Sequence, residues 1–388
     1  MIYLDHNATT PLCEEALNAM LPWLKNYGNA SSIHSLGRNA RAAIDNARDS
    51  LAALLQAKPH EIIFTSGGTE SDNLALLGLA RRHRHRGNHL ITSSTEHHAV
   101  LHAMEFLRSR ENFEITILPV NEFGEVSPGL LEAALRPETI LVSIMAANNE
   151  IGAIQPISEL ATLCRNHNIL FHSDAIQSFG KIKTIPRELN LDALSLAAHK
   201  FYGPKGVGLL WLREGIPLAS IQHGGFQEGE RRPGTENVAA IVGMAAAAKQ
   251  AMDELSKGIE TEREKKLREQ LWQGIEKIYP LAIRHGTPEK TLPNTLNVSF
   301  PKCDGETLLI GLDLEGICLS SGSACMVGSI QASHVLQAMG VTEDLAKTAV
   351  RFSLGRQTTE EEIEITLRSL KKVLKRQAVQ RSAVMGDE

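Results

Sequence analysis

The sequence predicts an α/β protein built on a mostly parallel sheet. Short apolar runs of strand length alternate with longer stretches in which apolar residues recur at helical spacing. That alternation is typical of a parallel sheet covered by helices on both faces. Near Ile259 the composition changes to a long charged helix, and this change predicts the start of a second, smaller α+β domain. The 388 residues are enough for two domains.

The predicted elements follow in chain order from local patterns. Apolar runs bounded by polar turns are typical of strands, and apolar residues three and four positions apart are typical of helices that bury one face. Strands are predicted at 2–4, 62–64, 89–92, 115–120, 139–145, 169–172, 193–198, 207–212, 294–300 and 349–356. Helices are predicted at 16–24, 36–55, 73–79, 158–167, 238–252, 262–278, 306–314 and 360–375, and residues 377–388 are predicted to be a loose tail.

The composition argues against several classes of protein. A net charge of −5 and an isoelectric point of about 6.3 argue against broad nucleic-acid binding. Each apolar run is shorter than the roughly 20 residues of a membrane-spanning helix, and the first residues are strand-like rather than a signal peptide. The five cysteines are scattered without a Cys-x-x-Cys motif. They predict a cytoplasmic protein with neither a disulfide framework nor a static metal site.

Residues suited to chemistry follow the ends of several predicted strands. Ligands of a parallel sheet bind beyond the carboxyl ends of the strands, so these residues are expected to share one edge. An acid and a lysine placed in this way can serve a pyridine aldehyde cofactor, because the amine condenses with the aldehyde and the carboxylate keeps the ring nitrogen protonated. The residues are Gly67, Gly68, Thr69, His97, Asn149, Asp174, Gln177 and Lys200.

Each of these residues also has a simpler interpretation. The turn at 66–69 can bind a phosphate at the N-terminus of the following helix, or it can be an ordinary helix cap. His97 and Asn149 can contact a cofactor ring or can be turn residues. Asp174 and Lys200, taken only as a pair, are weak evidence for a cofactor site, because both residue types are common at strand ends and on surfaces.

Three more residues are candidates in the second half of the chain. Cys325 lies in a hydrophilic Ser/Gly segment, where an accessible thiolate can act as a nucleophile, whereas the other cysteines are interpreted as packing residues. Arg351 lies within an apolar strand and needs an anionic partner, for which a substrate carboxylate is a good candidate. The polar loop at 224–237 contains two arginines and Thr235, which can add contacts to an anion.

Taken together, the motifs resemble one known family. In chain order they are LDHNATTP at 4–11, GTESDN at 68–73, NNEIG at 148–152, DAIQ at 174–177, AHKFYGPKG at 198–206, RPGTEN at 232–237 and SSGSAC at 320–325. They resemble the cysteine desulfurases of the NifS/IscS type, in the class V aminotransferase superfamily, over nearly the whole chain. The resemblance implies a homodimer that uses pyridoxal 5′-phosphate (PLP) and has fold type I. The large domain would be 16–258, and the small domain would combine 1–15 with 259–388.

The resemblance also implies a role for each motif residue. The cofactor contacts would be Lys200 with the aldehyde, Asp174 with the ring nitrogen, His97 with the ring face, Asn149 and Gln177 with the ring 3-oxygen, and Gly68, Thr69, His199 and a partner subunit's Thr235 with the phosphate. Arg351 and Asn149 would contact the substrate. The catalytic residues would be Lys200, His97 and Cys325.

The implied reaction removes sulfur from L-cysteine. Lys200 would be the base at the α-carbon, and the Cys325 thiolate would attack the substrate sulfur, so that L-alanine leaves and a persulfide remains on Cys325. The persulfide would pass to a sulfur acceptor such as an iron–sulfur scaffold protein. A transient contact between Cys325 and an iron–sulfur cluster is part of the same expectation. Iron–sulfur assembly, tRNA thiolation and nitrogenase maturation all stay open as the pathway served.

Two departures from the family pattern and two alternative functions stay open. The family often has Ser where Ala197 stands, and Thr or Ser after the cysteine, where this chain has Met326 and Val327. These differences concern a phosphate contact, loop mobility and the choice of acceptor.

One alternative is a selenocysteine lyase-like or other class V PLP enzyme in which the loop cysteine is not essential. The other is a scaffold subunit that binds PLP without catalysis, although the complete set of cofactor residues argues against it.

Overall fold

The computed structural model describes residues 1–321 and 332–385. The strands in these ranges are β1 (Ile2–Tyr3), β2 (Ile62–Thr65), β3 (His89–Ser93), β4 (Glu114–Leu118), β5 (Thr139–Ser143), β6 (Leu170–Asp174), β7 (Ala193–Ala197), β8 (Gly208–Leu212), β9 (Ile283–His285), β10 (Thr295–Ser299), β11 (Ile317–Cys318) and β12 (Ala349–Ser353).

The α-helices of the same ranges lie between and after these strands. They are α1 (Glu14–Lys25), α2 (Ser35–Leu54), α3 (Gly68–His83), α4 (His98–Glu111), α5 (Pro128–Ala134), α6 (Ile157–Asn166), α7 (Val238–Lys257), α8 (Ile259–Ile278), α9 (Gly305–Leu314), α10 (His334–Ala338), α11 (Glu343–Ala346) and α12 (Glu360–Met385). None of the helices so described combines the length and the apolar character needed to cross a membrane.

The central sheet has seven strands in the order β2-β8-β7-β6-β5-β3-β4. The neighbouring pairs from β7 to β4 are parallel, whereas β8 is antiparallel to both β2 and β7. Every residue of β3, β5, β6, β7 and β8 is buried, as expected for strands that helices cover on both faces. The predicted α/β fold with a mostly parallel sheet is therefore confirmed.

A second group of strands lies outside the central sheet. β12, β10 and β9 form an antiparallel sheet, and β1 pairs with β11 in parallel. Ile2 and Leu4 pack in one apolar core with residues of α8, α9 and α12. The cores around the central sheet instead draw on residues between Ala16 and Ala251. The division into 16–258 and 1–15 with 259–388 stays a prediction, which these separate cores support.

The C-terminal helix is longer than the sequence pattern indicates. α12 continues to Met385, so the prediction of a loose tail from residue 377 is wrong as far as Met385. Gln377 is buried, and its side-chain amide exchanges hydrogen bonds with the backbone N–H and C=O of Asp304, both at 3.1 Å. Tertiary contact of this kind extends helices beyond what local propensity predicts.

Candidate active site

A pocket of about 340 Å³ lies where five strands of the central sheet end. Residues that follow β2, β3, β5, β6 and β7 line it, together with residues from the N-terminal segment and β12. We call it the Lys200 pocket. The predicted site residues that line it are Gly68, Thr69, His97, Asn149, Asp174, Gln177, His199, Lys200 and Arg351. The structure therefore brings together the residues that were expected to share one sheet edge.

Lys200 lies in the short 3₁₀ turn that follows β7. Its Nζ donates hydrogen bonds to the backbone oxygens of Asn7 and Ala8, at 2.6 and 2.7 Å. Burial, together with the charges of Arg351 and Lys181, lowers the pKa of this amine to about 7, while the charges of Asp174 and Asp5 act in the opposite direction. A large share of Lys200 is therefore neutral near pH 7, and the neutral amine is the form that condenses with an aldehyde or accepts a proton.

Asp174 is the last residue of β6, and its carboxylate is buried. Its Oδ1 accepts a hydrogen bond from the backbone N–H of Ile176 at 2.9 Å. Burial raises the pKa of this carboxyl, while that N–H and the charge of Lys200 act in the opposite direction. Burial also raises the pKa of Glu96 to about 8 and that of Asp72 well above its usual value. Burial thus favours the protonated form of both neighbours, whereas a cation beside Asp174 would favour the ionised form of Asp174.

His97 is the N-cap residue of α4, and its Nδ1 accepts the backbone N–H of Ala99 at 3.1 Å. Burial lowers the pKa of this ring to about 4, so the imidazole is neutral near pH 7. Because Nδ1 accepts a hydrogen bond, the proton of the neutral ring lies on Nε2. The cap thus fixes both the orientation and the tautomer of a ring suited to stack on an aromatic ligand.

Asn7 connects several of the predicted residues, although the sequence patterns did not single it out. Its backbone oxygen accepts hydrogen bonds from Lys200 Nζ and from Gln177 Nε2, at 2.6 and 2.8 Å. Its Nδ2 donates to the backbone oxygen of Asn149 at 3.2 Å. Because main-chain carbonyl groups leave no trace in side-chain patterns, the only signals were the place of Asn7 in the polar stretch at 5–11 and in the LDHNATTP motif at 4–11.

The turn between β2 and α3 provides a site for an anion. α3 begins at Gly68, and the first N–H groups of a helix have no partners within the helix. A Cβ atom on Gly68 would lie 2.1 Å from Cδ1 of Ile176, so a larger residue here would require the Ile176 side chain to move. Thr69 follows in the first turn, and the His199 ring, whose Nδ1 lies 3.1 Å from Thr9 Oγ1, lines the same pocket. These groups together can bind a phosphate.

Arg351 is a buried cation with one unused donor. It is only 3% exposed. Its Nη2 donates to Asp5 Oδ1 at 2.7 Å, and its Nη1 donates to the backbone oxygen of Asn149 at 2.9 Å. Its Nε is also buried and has no hydrogen-bond partner in the described part of the chain. Arg351 lines the Lys200 pocket, and a guanidinium held in this way is suited to bind an anionic ligand that enters the pocket.

Three predicted residues do not line the described pocket, and one of them is Gly67, the N-cap residue directly before α3. Thr235 is exposed on the loop before α7, where contact with a partner subunit's pocket stays a prediction. Cys325 lies outside the described residues, as do Met326 and Val327. The described chain leads towards that segment at Ser320, which lines the Lys200 pocket.

Two histidines that were not assigned from the sequence also line the pocket. The ring centroids of His98 and His334 lie 4.7 Å apart, and those of His98 and His102 lie 5.1 Å apart. The Nε2 of His334 lies 3.0 Å from the backbone oxygen of Glu96. Across residues 1–321 and 332–385, no group of three or more His, Cys, Asp or Glu side chains has the geometry of a metal site. His98 and His334 therefore form part of the pocket wall.

The Lys200 pocket fits a phosphorylated pyridine aldehyde. Its volume of about 340 Å³ lies at the small end of the range for small-molecule sites, which begins near about 300 Å³. The pocket combines a partly neutral amine on Lys200, a buried carboxyl on Asp174 and a helix N-terminus at Gly68. Each of these matches one group of such a ligand: the aldehyde, the ring nitrogen and the phosphate.

Comparison with known proteins identifies the class to which this fold and site belong. The family model described as Aminotransferase class-V matches residues 2–366. The chain therefore belongs to the aminotransferase class-V family.

Its relatives narrow the assignment within that family. The chain is 48% identical to "Cysteine desulfurase IscS" of Dictyoglomus turgidum, over 97% of this chain and 95% of that protein. It is 45% identical to the protein of the same name from Methanosarcina thermophila, over 97% and 92%. Within the class-V aminotransferases, the chain falls among the cysteine desulfurases.

Solved structures agree with this assignment. A "NifS-like protein" superposes with a TM-score of 0.90 at 40% identity, covering 96% of this chain and 99% of that one. A NifS-like protein from Rickettsia africae superposes with a TM-score of 0.87 at 33% identity, covering 97% of this chain and 99% of that one. A structure described as SspA in complex with cysteine gives 0.81 at 36% identity, with coverage of 91% and 99%.

Proposed function

We propose that this protein is a PLP-dependent cysteine desulfurase that converts L-cysteine to L-alanine and an enzyme-bound persulfide. One observation supports this most strongly. A single pocket joins Lys200, whose amine is partly neutral near pH 7, with a buried Asp174 and a buried Arg351. It does so in a chain that is 48% identical to a cysteine desulfurase. The relative described as bound to cysteine supports the choice of substrate.

The pocket residues divide PLP between them according to their chemistry. Gly68, Thr69 and His199 would hold the phosphate, His97 the ring face, Asp174 the ring nitrogen, Asn149 and Gln177 the ring oxygen, and Lys200 the aldehyde, and all of these residues line the pocket. Thr235 of a second subunit adds a phosphate contact, while Ala197 in the pocket wall offers no hydroxyl to the phosphate. When bound, PLP supplies an aldehyde that joins the substrate amine and a ring that withdraws electrons from the substrate α-carbon.

Substrate binding and proton transfer are tasks of this chain's own residues. Arg351 binds the carboxylate of L-cysteine and so fixes which bond of the α-carbon faces Lys200. The neutral amine of Lys200 accepts the α-proton, and the backbone oxygens of Asn7 and Ala8, at 2.6 and 2.7 Å, stabilise the ammonium group that results. His97 is neutral, with its proton on Nε2, and exchanges a proton with the substrate.

Sulfur transfer requires a nucleophile, which we assign to Cys325. Its thiolate attacks the sulfur of L-cysteine, so that a sulfur–sulfur bond forms while the substrate carbon–sulfur bond breaks. The bonding electrons pass to the substrate carbon, which takes up a proton and leaves as L-alanine. The balance is one cysteine and one enzyme thiol converted to one alanine and one enzyme persulfide, with no external oxidant or reductant.

The quaternary structure and the partners belong to the same proposal. We assign a cytoplasmic homodimer that passes sulfur to an acceptor or an iron–sulfur scaffold protein. The exposure of Thr235 supports a contact with a second subunit. α1 and the loop after it also expose apolar side chains, namely Leu17, Leu21, Leu24 and Tyr27, of which Tyr27 is 88% exposed. Native mass spectrometry is expected to detect a dimer, and a monomer alone would contradict the Thr235 contact.

The proposed activity is tested by product stoichiometry. Purified protein loaded with PLP is incubated with L-cysteine and a thiol reductant, and alanine and sulfide are measured. Equal amounts of both are expected, with no products from Lys200→Ala. L-selenocysteine serves as the comparison substrate, because the alternative, a selenocysteine lyase-like enzyme, predicts turnover of selenocysteine and little of cysteine. Absence of alanine from L-cysteine would overturn the proposal.

A further inference from the structure

We propose that Lys181 is a positioning residue, which holds the side-chain amide of Gln177 so that an N–H rather than the carbonyl oxygen faces the cofactor. The inference rests on the proposed binding of PLP. It concerns a lysine that lies outside the Lys200 pocket and that the mechanism above does not use.

Two neighbours of opposite hydrogen-bonding character hold the Gln177 amide. Lys181 Nζ donates to Gln177 Oε1 at 3.0 Å and to the backbone oxygen of Gln177 at 3.1 Å. Gln177 Nε2 donates to the backbone oxygen of Asn7 at 2.8 Å. An ammonium group has only donors, and a carbonyl oxygen only accepts. Rotation of the amide by half a turn would therefore replace two hydrogen bonds with two repulsive contacts.

The fixed orientation leaves one donor for the pocket. The amide nitrogen of Gln177 has two N–H groups, and the contact with Asn7 uses one of them. Gln177 lines the Lys200 pocket, so the second N–H is available to the ring oxygen of the cofactor. A donor stabilises that oxygen in its ionised form, whereas the amide carbonyl oxygen in the same place would repel it.

Lys181 is half-buried, and although its surroundings lower its pKa to about 8, it is mainly a cation near pH 7. It lines a cavity of about 30 Å³ behind the pocket, together with His6, Lys200 and Glu264. Burial lowers the pKa of Lys181, the charge of Glu264 raises it, and the charge of Arg351 lowers it. Glu264 lies on α8, whose core residues belong to the cluster that contains the chain's first residues. Burial raises the pKa of Glu264 itself to about 8, so the hydrogen bonds from Lys181, rather than the charge of Glu264, hold the Gln177 amide.

The test separates positioning from general stabilisation by means of a ligand that lacks the ring oxygen. Apoenzyme is titrated with PLP and with 3-deoxypyridoxal 5′-phosphate, and both dissociation constants are measured. Lys181→Met leaves Glu264 without its cation, so the main variant combines Lys181→Met with Glu264→Gln. Glu264→Gln alone is the matched control, because it keeps the hydrogen bonds from Lys181 to Gln177.

The double variant is expected to bind PLP about tenfold more weakly than the control, as for the loss of one hydrogen bond to a charged group. Its affinity for the deoxy analogue is expected to stay within about twofold of the control. Equal losses for both ligands, or no loss for PLP, would overturn the role of Lys181 while leaving the proposed enzyme intact. Failure of the wild-type apoenzyme to bind PLP would overturn the proposed function and this inference with it.

Discussion

Arg351 donates a hydrogen bond from Nη2 to the carboxylate of Asp5 over 2.7 Å. The same guanidinium donates from Nη1 to the backbone oxygen of Asn149 over 2.9 Å. These bonds connect β12 to the first residues of the chain and to the segment after β5. Arg351 is therefore held in place before a substrate arrives, and its unpaired Nε is oriented in advance.

Replacement of Arg351 by lysine is expected to raise the KM for L-cysteine. A lysine keeps the charge but cannot hold Asp5, Asn149 and a carboxylate with one planar group. Hydrogen bonds to charged groups contribute about 1.5–3 kcal/mol, which predicts an increase of about 10- to 100-fold, with a smaller effect on kcat.

Arg356→Lys is the control for this substitution. Arg356 bonds Gln250 at 3.0 Å and Glu254 at 2.6 Å and does not line the Lys200 pocket. Its variant should keep the KM within about twofold of the wild-type value. An unchanged KM in Arg351→Lys would remove Arg351 from the substrate site.

The lowered pKa of Lys200 predicts how PLP attachment to the apoenzyme depends on pH. Only the neutral amine reacts, so with a pKa of about 7 the attachment rate should rise about tenfold per pH unit below pH 7 and level off above it. The charges of Arg351 and Lys181 favour the neutral amine, and those of Asp174 and Asp5 oppose it. Stopped-flow absorbance between about pH 5.5 and pH 9 measures this profile.

A lysine with its ordinary pKa of 10.5 would instead show a rate that still rises at the upper end of that range. Lys200→Ala is the matched control for the site of attachment. It is expected to give no PLP adduct by mass spectrometry after borohydride reduction. A continuous rise in the wild type, or an adduct in the variant, would contradict the assignment of Lys200.

Asp174→Asn is expected to lower kcat by about 10²- to 10³-fold, in the range for the loss of one preorganised electrostatic contact. The amide keeps the shape of the side chain but cannot hold a proton on the ring nitrogen. Asp192→Asn is the control, because Asp192 is also buried but accepts the N–H of Phe171 and pairs with Arg213, away from the pocket. A similar kcat in both variants, measured per PLP-loaded site, would contradict the role of Asp174.

The position of the site could be predicted from the sequence because it depends on local patterns. Apolar runs mark the strands, and the residues directly after them, such as His97, Asp174 and Lys200, lie at one edge as a consequence of parallel strand order. The glycine at 68 was likewise marked by the turn between a strand and a helix, and the structure adds that the Ile176 side chain packs directly against it.

What the sequence patterns missed depends on contacts between distant parts of the chain. Asp5 and Arg351 are separated by 346 residues, and no local pattern pairs them. Asn7 acts mainly through its backbone oxygen, and Lys181 was indistinguishable from a surface lysine until its contact with Gln177 was known. The extension of α12 was missed for the same reason, since Gln377 depends on Asp304.

The central claim is that a cysteine of this chain takes the sulfur, and the most direct test is alanine release by Cys325→Ala. Wild type, Cys325→Ala and Cys318→Ala are compared with L-cysteine and a reductant, with PLP content measured in each. Cys318 is the matched control, because it is a half-buried cysteine on β11, a short distance before Cys325 in the sequence. Wild type and Cys318→Ala should release alanine at similar rates, and Cys325→Ala should release none above background. Equal release by all three would show that Cys325 is not the nucleophile and that the enzyme acts as a lyase.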